Sequence, residues 1–165
     1  MSPTATRLKV DVGDPIPSVG LRASDGYLLN LRSFVGKQPV IFLFFAGPSL
    51  RGAARQRGDA LAQALKDAHP RLMAAGVAVV GVTTDSEAQQ SAYIRELDLS
   101  YLLFSDERRA AVDLLGVPVK VERGNTNAEP TALAVAADGT VLDIVERAEP
   151  KGLVARLLEA INPPA

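Results

Sequence analysis

FLFFAGPSLRGAARQ, residues 42–56, decides how the rest of the chain is read. Phe42 to Phe45 close an apolar run that begins at Val40, behind Pro39. A run apolar on both faces suits a strand covered by helices on each side of a sheet. Gly47 and Pro48 end it, and the helical spacing that follows places free backbone N–H donors at the end of the loop. A strand, a short loop and a helix N-terminus form the setting in which reactive cysteines are held as thiolates. This stretch contains no cysteine.

Upstream, the Asp25-Gly26 pair in "DGYLLNL" marks a turn, so Leu21 and Leu28 to Leu31 read as two arms of an N-terminal hairpin. Downstream, Ala54, Leu61, Leu65, Leu72 and Met73 recur at helical spacing from about Arg51 to Ala74, and Gly76 closes a long helix. "VAVVGVT" is a second buried strand, "SEAQQSAYIRELDL" an amphipathic helix and "SYLLF" a short strand. "SDERR" turns into a helix through "AAVDLLG". "VPVKVERGNTNAEP" reads as a loop. "TALAVAADGTVLDIVE" is a hairpin turning at Asp138-Gly139, and "PKGLVARLLEAI" a last helix with Pro150 in its first turn. This order predicts a single α/β domain over residues 1–165, a central mixed sheet flanked by helices with an N-terminal β-hairpin. It is the order of the thioredoxin fold.

Composition narrows the chemistry. The chain has 165 residues, 47% of them hydrophobic, and a formal charge of −1, with acids and bases interspersed throughout. No basic face for nucleic acid is expected. The apolar runs are too short to span a bilayer, and "MSPTATRLKV" lacks the apolar middle of a secretory signal, so the expected location is cytoplasmic, away from membranes. The absence of cysteine excludes disulfides, thiolate nucleophiles, iron–sulfur clusters and cysteine-bound zinc. A single histidine, His69, provides no metal cluster and no serine triad, and it is expected to sit exposed near a helix end. Neither cofactor nor metal is expected.

Several separated segments resemble the peroxiredoxins of the AhpC/TSA, or redoxin, group. "VGDPIPSVGL" is similar to their opening segment, "SDGYLLNLRSFVGKQPVIFLFF" to the approach to their active-site loop, and "VAVVGVTTDS" to their second core strand. "YLLFSDERRAAVDLLGV" and "TALAVAADGTVLDIV" complete the match, which runs in order over roughly residues 12–160. The absence of a long arm after the last helix resembles the bacterioferritin-comigratory, or Q-type, branch. The resemblance implies a thioredoxin-like fold of the peroxiredoxin type and, formally, thiol-dependent reduction of hydroperoxides.

The family's active-site pattern, Pro-x-x-x-Thr-x-x-Cys, falls on Ala46, Leu50 and Ala53. The Q-type resolving cysteine falls on Gly58, and the arginine before the final strands on Pro130. Peroxide reduction needs a soft two-electron donor that ends as a sulfenic acid, with positive charge to lower the thiol pKa. An alanine methyl supplies neither. A Cys-to-Ala exchange at position 53 would account for one of these departures and leave Leu50, Ala46 and Pro130 unexplained.

Candidate binding residues at the altered loop are Ser49, Leu50, Arg51, Gly52, Ala53, Arg55 and Pro130. Arg51, Gly52 and Arg55 form either an anion pocket at the helix N-terminus, capped or lined by Ser49, or a solvated helical face that also carries Arg57. Pro130-Thr131 resembles the cis-Pro-Thr that thioredoxins set opposite their catalytic loop, a feature that serves the fold or presents a backbone edge. Met73, Tyr93 and Tyr101 read as packing residues, and Asp85 as a strand-end residue capping the next helix. Ser49 and Ser105 have no neighbouring base in sequence. The expected function is binding of a small anionic ligand or a protein partner, by a monomer or homodimer. An enzyme of non-thiol chemistry in the same pocket is the alternative, or the family's peroxidase if Ala53 stands in for a cysteine.

Overall fold

The computed structural model describes residues 8–122 and 124–163. The opening segment, including Met1, lies outside them. A short hairpin comes first, β1 (Gly20–Ala23) with β2 (Leu28–Asn30), and Leu31 already belongs to the 3-10 turn Leu31–Phe34. Then follow β3 (Val40–Phe44), α1 (Gly52–Ala74), β4 (Ala78–Thr83), α2 (Glu87–Leu97), β5 (Leu102–Ser105) and α3 (Ala110–Leu115). The chain closes with β6 (Val119–Glu122), β7 (Asn125–Ala128), β8 (Thr131–Val135), β9 (Val141–Glu146) and α4 (Leu153–Ile161).

Seven strands form one mixed sheet in the order β2-β1-β5-β4-β3-β8-β9. β3 lies inside it, parallel to β4 and antiparallel to β8, with Phe42 opposite Val80 on one side and Leu133 on the other. Strand periodicity divides its side chains between two cores. Val40, Phe42 and Phe44 join Leu21, Leu31 and Phe104 on the face covered by α3 and the N-terminal segment. Ile41, Leu43 and Phe45 meet Leu61, Leu65 and Leu72 of α1, Tyr93 of α2, and Leu153 and Leu157 of α4. Each fully buried leucine or phenylalanine contributes roughly 1.5–3 kcal/mol of transfer free energy, so the unbroken apolar run specifies this strand's central place.

Four expectations are corrected. The segment read as a loop after α3 is a two-stranded hairpin, β6 paired with β7, standing apart from the main sheet. Pro150 begins a turn, and α4 starts only after Gly152. Met73 faces outward, 63% exposed, because it lies off the stripe formed by Leu61, Leu65 and Leu72. His69 is half-buried; its Nδ1 lies 2.7 Å from Ser100 Oγ, and its ring meets Tyr101 edge-on. Tyr93 and Tyr101 are buried as expected, each with its hydroxyl satisfied, by Asp59 Oδ1 at 2.6 Å and the Ala62 carbonyl at 2.7 Å. No helix among the described residues is long and apolar enough to cross a membrane.

Candidate functional site

The loop after β3 leaves the sheet where the parallel strands end, so it faces the loop that follows β4. Leu50 N donates to the Gly47 carbonyl at 3.2 Å, closing a tight turn. Ser49 N donates to Asp85 Oδ1 at 3.2 Å, and Ser49 Oγ to Asn127 Oδ1 at 3.4 Å. The loop is thereby fastened to the end of β4 and to β7. Thr84 Oγ1 donates to the Thr126 carbonyl at 2.6 Å, which ties the β6–β7 hairpin to the same end of the sheet.

Asp85 therefore does not cap α2. That role belongs to Ser86, whose Oγ accepts from Gln89 N at 3.2 Å while Gln89 Oε1 accepts from Ser86 N at 2.9 Å. Asp85 and Asn127 are each only 2% exposed and belong to the loop's support. Asp85 is marked in the sequence as a strand-end residue but not as a support of the loop, and Asn127 is not singled out. The signal for Asn127 was present, since Val119 and Val121 alternate with polar residues ahead of a Gly-Asn turn.

α1 begins with Arg51 at its N-cap in an extended conformation, without a side-chain cap, so Ser49 does not serve as one. Gly52 has φ +67°, a conformation that costs glycine little. Arg51, Gly52 and Ala53 are exposed. Leu50 and Ala46 are buried and, with Gly58, Asn127 and Pro130, border a crevice of only about 20 Å³. That volume holds about one water molecule. At Gly58 an added Cβ would overlap the Ala46 carbonyl oxygen, so the position aligned with the resolving cysteine has no room for a side chain.

Arg55 does not join Arg51 and Gly52. Its guanidinium donates to Asp59 Oδ1 at 2.9 Å and Glu96 Oε2 at 3.0 Å, and lies 5.2 Å from the centre of the Tyr93 ring. Burial alone would lower its pKa, but the bond to Asp59 and the charges of Asp59 and Glu96 leave it above its ordinary value. Burial, followed by the bond to Asp59, pushes the Tyr93 hydroxyl far up. Arg55 thus fastens the start of α1 to α2. A further contact to the Pro48 carbonyl at 3.4 Å joins this network to the loop.

Pro130 lies where expected, opposite the loop, but the described residues contain no cis peptide bond. The backbone edge is also occupied: Glu129 N donates to the Pro118 carbonyl at 2.7 Å, and the Pro130 carbonyl accepts from Ala148 N at 3.0 Å. On the loop's other side opens a polar cleft of about 410 Å³, lined by Ser49, Thr84, Asp85, Gln89, Glu107 and Arg109 among others. Neither Ser49 nor Ser105 meets a base; Ser105 Oγ donates to the Asp85 carbonyl at 2.7 Å. No group of three or more metal-ligating side chains occurs among the described residues.

The family model described as "AhpC/TSA family" matches residues 12–144. Peroxiredoxin Q, chloroplastic, of Populus jackii is 33% identical over 110 residues, 67% of this chain and 49% of that protein. The chain thus spans about half the length of the first curated relatives it matches. The putative peroxiredoxin bcp of Coxiella burnetii is 24% identical over 154 residues, 92% of this chain and 98% of that one. Among solved structures, peroxidoxin BcpB of Mycobacterium tuberculosis superposes with a TM-score of 0.78 at 19% identity, covering 92% of this chain and 96% of the other. The chain belongs to the AhpC/TSA family, with the thioredoxin-like fold of a Q-type peroxiredoxin and no cysteine at any position.

Proposed function

We propose that this chain is a binding member of its family without thiol peroxidase activity. It acts through the face formed by the 46–50 loop, the start of α1 and the β6–β7 hairpin. One observation carries the reading: the chain has no cysteine, and the peroxidatic position is Ala53. Without a thiolate there is no two-electron donor for the O–O bond.

The crevice beside Leu50 and Pro130 is too small for a ligand larger than water, so recognition belongs to its rim. Exposed Arg51, Gly52 and Ala53 stand there with the free N–H groups of the helix start, and the 410 Å³ cleft adds carboxylates and Arg109. With Arg55 held by Asp59 and Glu96, a small anion would meet Arg51 and the helix N-terminus alone. Charges of both signs around the loop favour a protein partner of mixed polarity over a free anion. The proposed setting is cytoplasmic, as monomer or homodimer.

Hydroperoxide consumption, followed with dithiothreitol or thioredoxin as donor, tests the loss of peroxidase chemistry. The expected rate equals the buffer background, and steady turnover overturns the reading. Native mass spectrometry of the full chain, purified gently from its own source, tests the binding. A second protein or bound mass supports it; a bare chain counts against it.

A further inference from the structure

At the end of the sheet opposite the 46–50 loop, a cavity of about 780 Å³ opens between the end of α1, the end of α2 and the first residues of β4 and β5. Small-molecule sites are commonly of this size, with apolar walls and a few polar groups that set orientation. The half-buried apolar side chains that line it are Phe34, Ala78, Ile94 and Leu102, set over the buried floor of Val77, Val79, Leu99 and Tyr101. Met73, exposed and otherwise without a role, stands at the rim.

The polar groups are few and unequal. Arg95 is exposed at the cavity, and its guanidinium has no hydrogen bond or ion pair among the described residues. Asp25, the acidic residue in the lining, accepts from Tyr27 N at 3.2 Å within its turn. His69 and Ser100 form a pair at 2.7 Å, and burial lowers the His69 pKa, so this pair brings hydrogen-bonding capacity without charge at neutral pH.

We propose that this cavity binds an amphiphilic monocarboxylate, its alkyl chain against Phe34, Ala78, Ile94, Leu102 and the rim residue Met73, and its carboxylate on Arg95. A guanidinium matches a carboxylate with two parallel hydrogen bonds, and an unpaired one beside apolar walls selects an acid over a plain hydrocarbon. A single negative charge is the limit. Asp25 and the partial negative ends of α1 and α2 oppose a second one. The site is independent of the loop face, since it lies at the other end of the strands.

Calorimetric titration of the full chain with decanoate and with decanol, combined with amide shift mapping, tests this. Saturable binding of decanoate is expected, with shifts at Ala78, Ser100 and Leu102, and with decanol weaker. Arg95→Ala should weaken decanoate about tenfold and abolish its advantage over decanol. Ser100→Trp, at an exposed position on the cavity, should block both ligands, and Met73→Trp at the exposed rim provides the same test if that variant fails to fold. Arg57→Ala, at the opposite end, should leave binding unchanged. The proposal is overturned by an absence of saturable binding, by shifts centred on the 46–50 loop, or by an Arg95→Ala variant that still prefers decanoate. Peroxide consumption, absent or present, does not bear on these outcomes.

Discussion

The Asp85 carboxylate lies directly beneath Gly47, so close that a Cβ at residue 47 would overlap Asp85 Oδ2. The same carboxylate accepts from Ser49 N, and glycine is therefore required by close approach, which lets the loop settle on the end of β4. Gly47→Ala should destabilise the fold by about 1–3 kcal/mol through overpacking. Urea unfolding measures this directly. In an Asp85→Ala background the added methyl has room, and the cost should shrink; an equal cost in both backgrounds would contradict the contact.

Ala53→Cys alone should not create a peroxidase. The new thiol would stand exposed at the start of α1, with helix N–H groups nearby. Leu50 would still offer no hydroxyl and Pro130 no positive charge to assist the thiol. Peroxide consumption by this variant should match that of an ordinary exposed thiol, without catalytic acceleration. Turnover typical of an enzyme would show that the remaining loop is competent, and that Ala53 alone separates this chain from activity.

Tyr93→Phe removes one hydroxyl and almost no volume. The lost bond to Asp59 at 2.6 Å crosses from α2 to α1, beside the crossing bond from Arg55 to Glu96 at 3.0 Å. A loss of about 1–2 kcal/mol is expected, discounted for the partial exposure of Asp59. Amide exchange in the first turns of α1 should quicken in parallel. Unchanged exchange there would mean that Arg55 alone holds the two helices together.

Alkaline pH should unfold the protein cooperatively with tyrosine ionisation. Burial raises the folded pKa of both Tyr93 and Tyr101 well above the ordinary tyrosine value of about 10. A group with a raised folded pKa gives stability that is fully present below its unfolded value and lost as pH rises toward the folded one. Stability should therefore fall progressively above about pH 10. Tyrosinate absorbance of these two residues should appear together with loss of the folded signal. Ionisation of both within an intact fold would contradict the burial.

Local pattern was legible where burial repeats along the chain. The run from Val40 to Phe45 reads as a doubly covered strand because both of its faces are apolar, and the structure uses both. The turns at Asp25-Gly26 and Asp138-Gly139 are equally plain, since left-handed glycines mark them. Legibility fell where polar residues do the positioning. Val119 and Val121 alternate with polar residues as a strand would, but only two apolar residues carry the pattern and both lie exposed, and Met73 lies one helical step off the buried stripe.

The sequence alone determined that no thiolate chemistry is available here and that the chain follows the order of a thioredoxin-like sheet. Both are properties of residue identity and of short-range periodicity. Only the tertiary structure decided the partners of the polar side chains. Arg55 could be placed beside Arg51 by helical spacing, yet Asp59, Tyr93 and Glu96 draw it to α2. Asp85 turned out to carry the loop, and His69 to meet Ser100, 31 residues away. Polar contacts of this kind depend on distances across elements, which periodicity along one element does not encode.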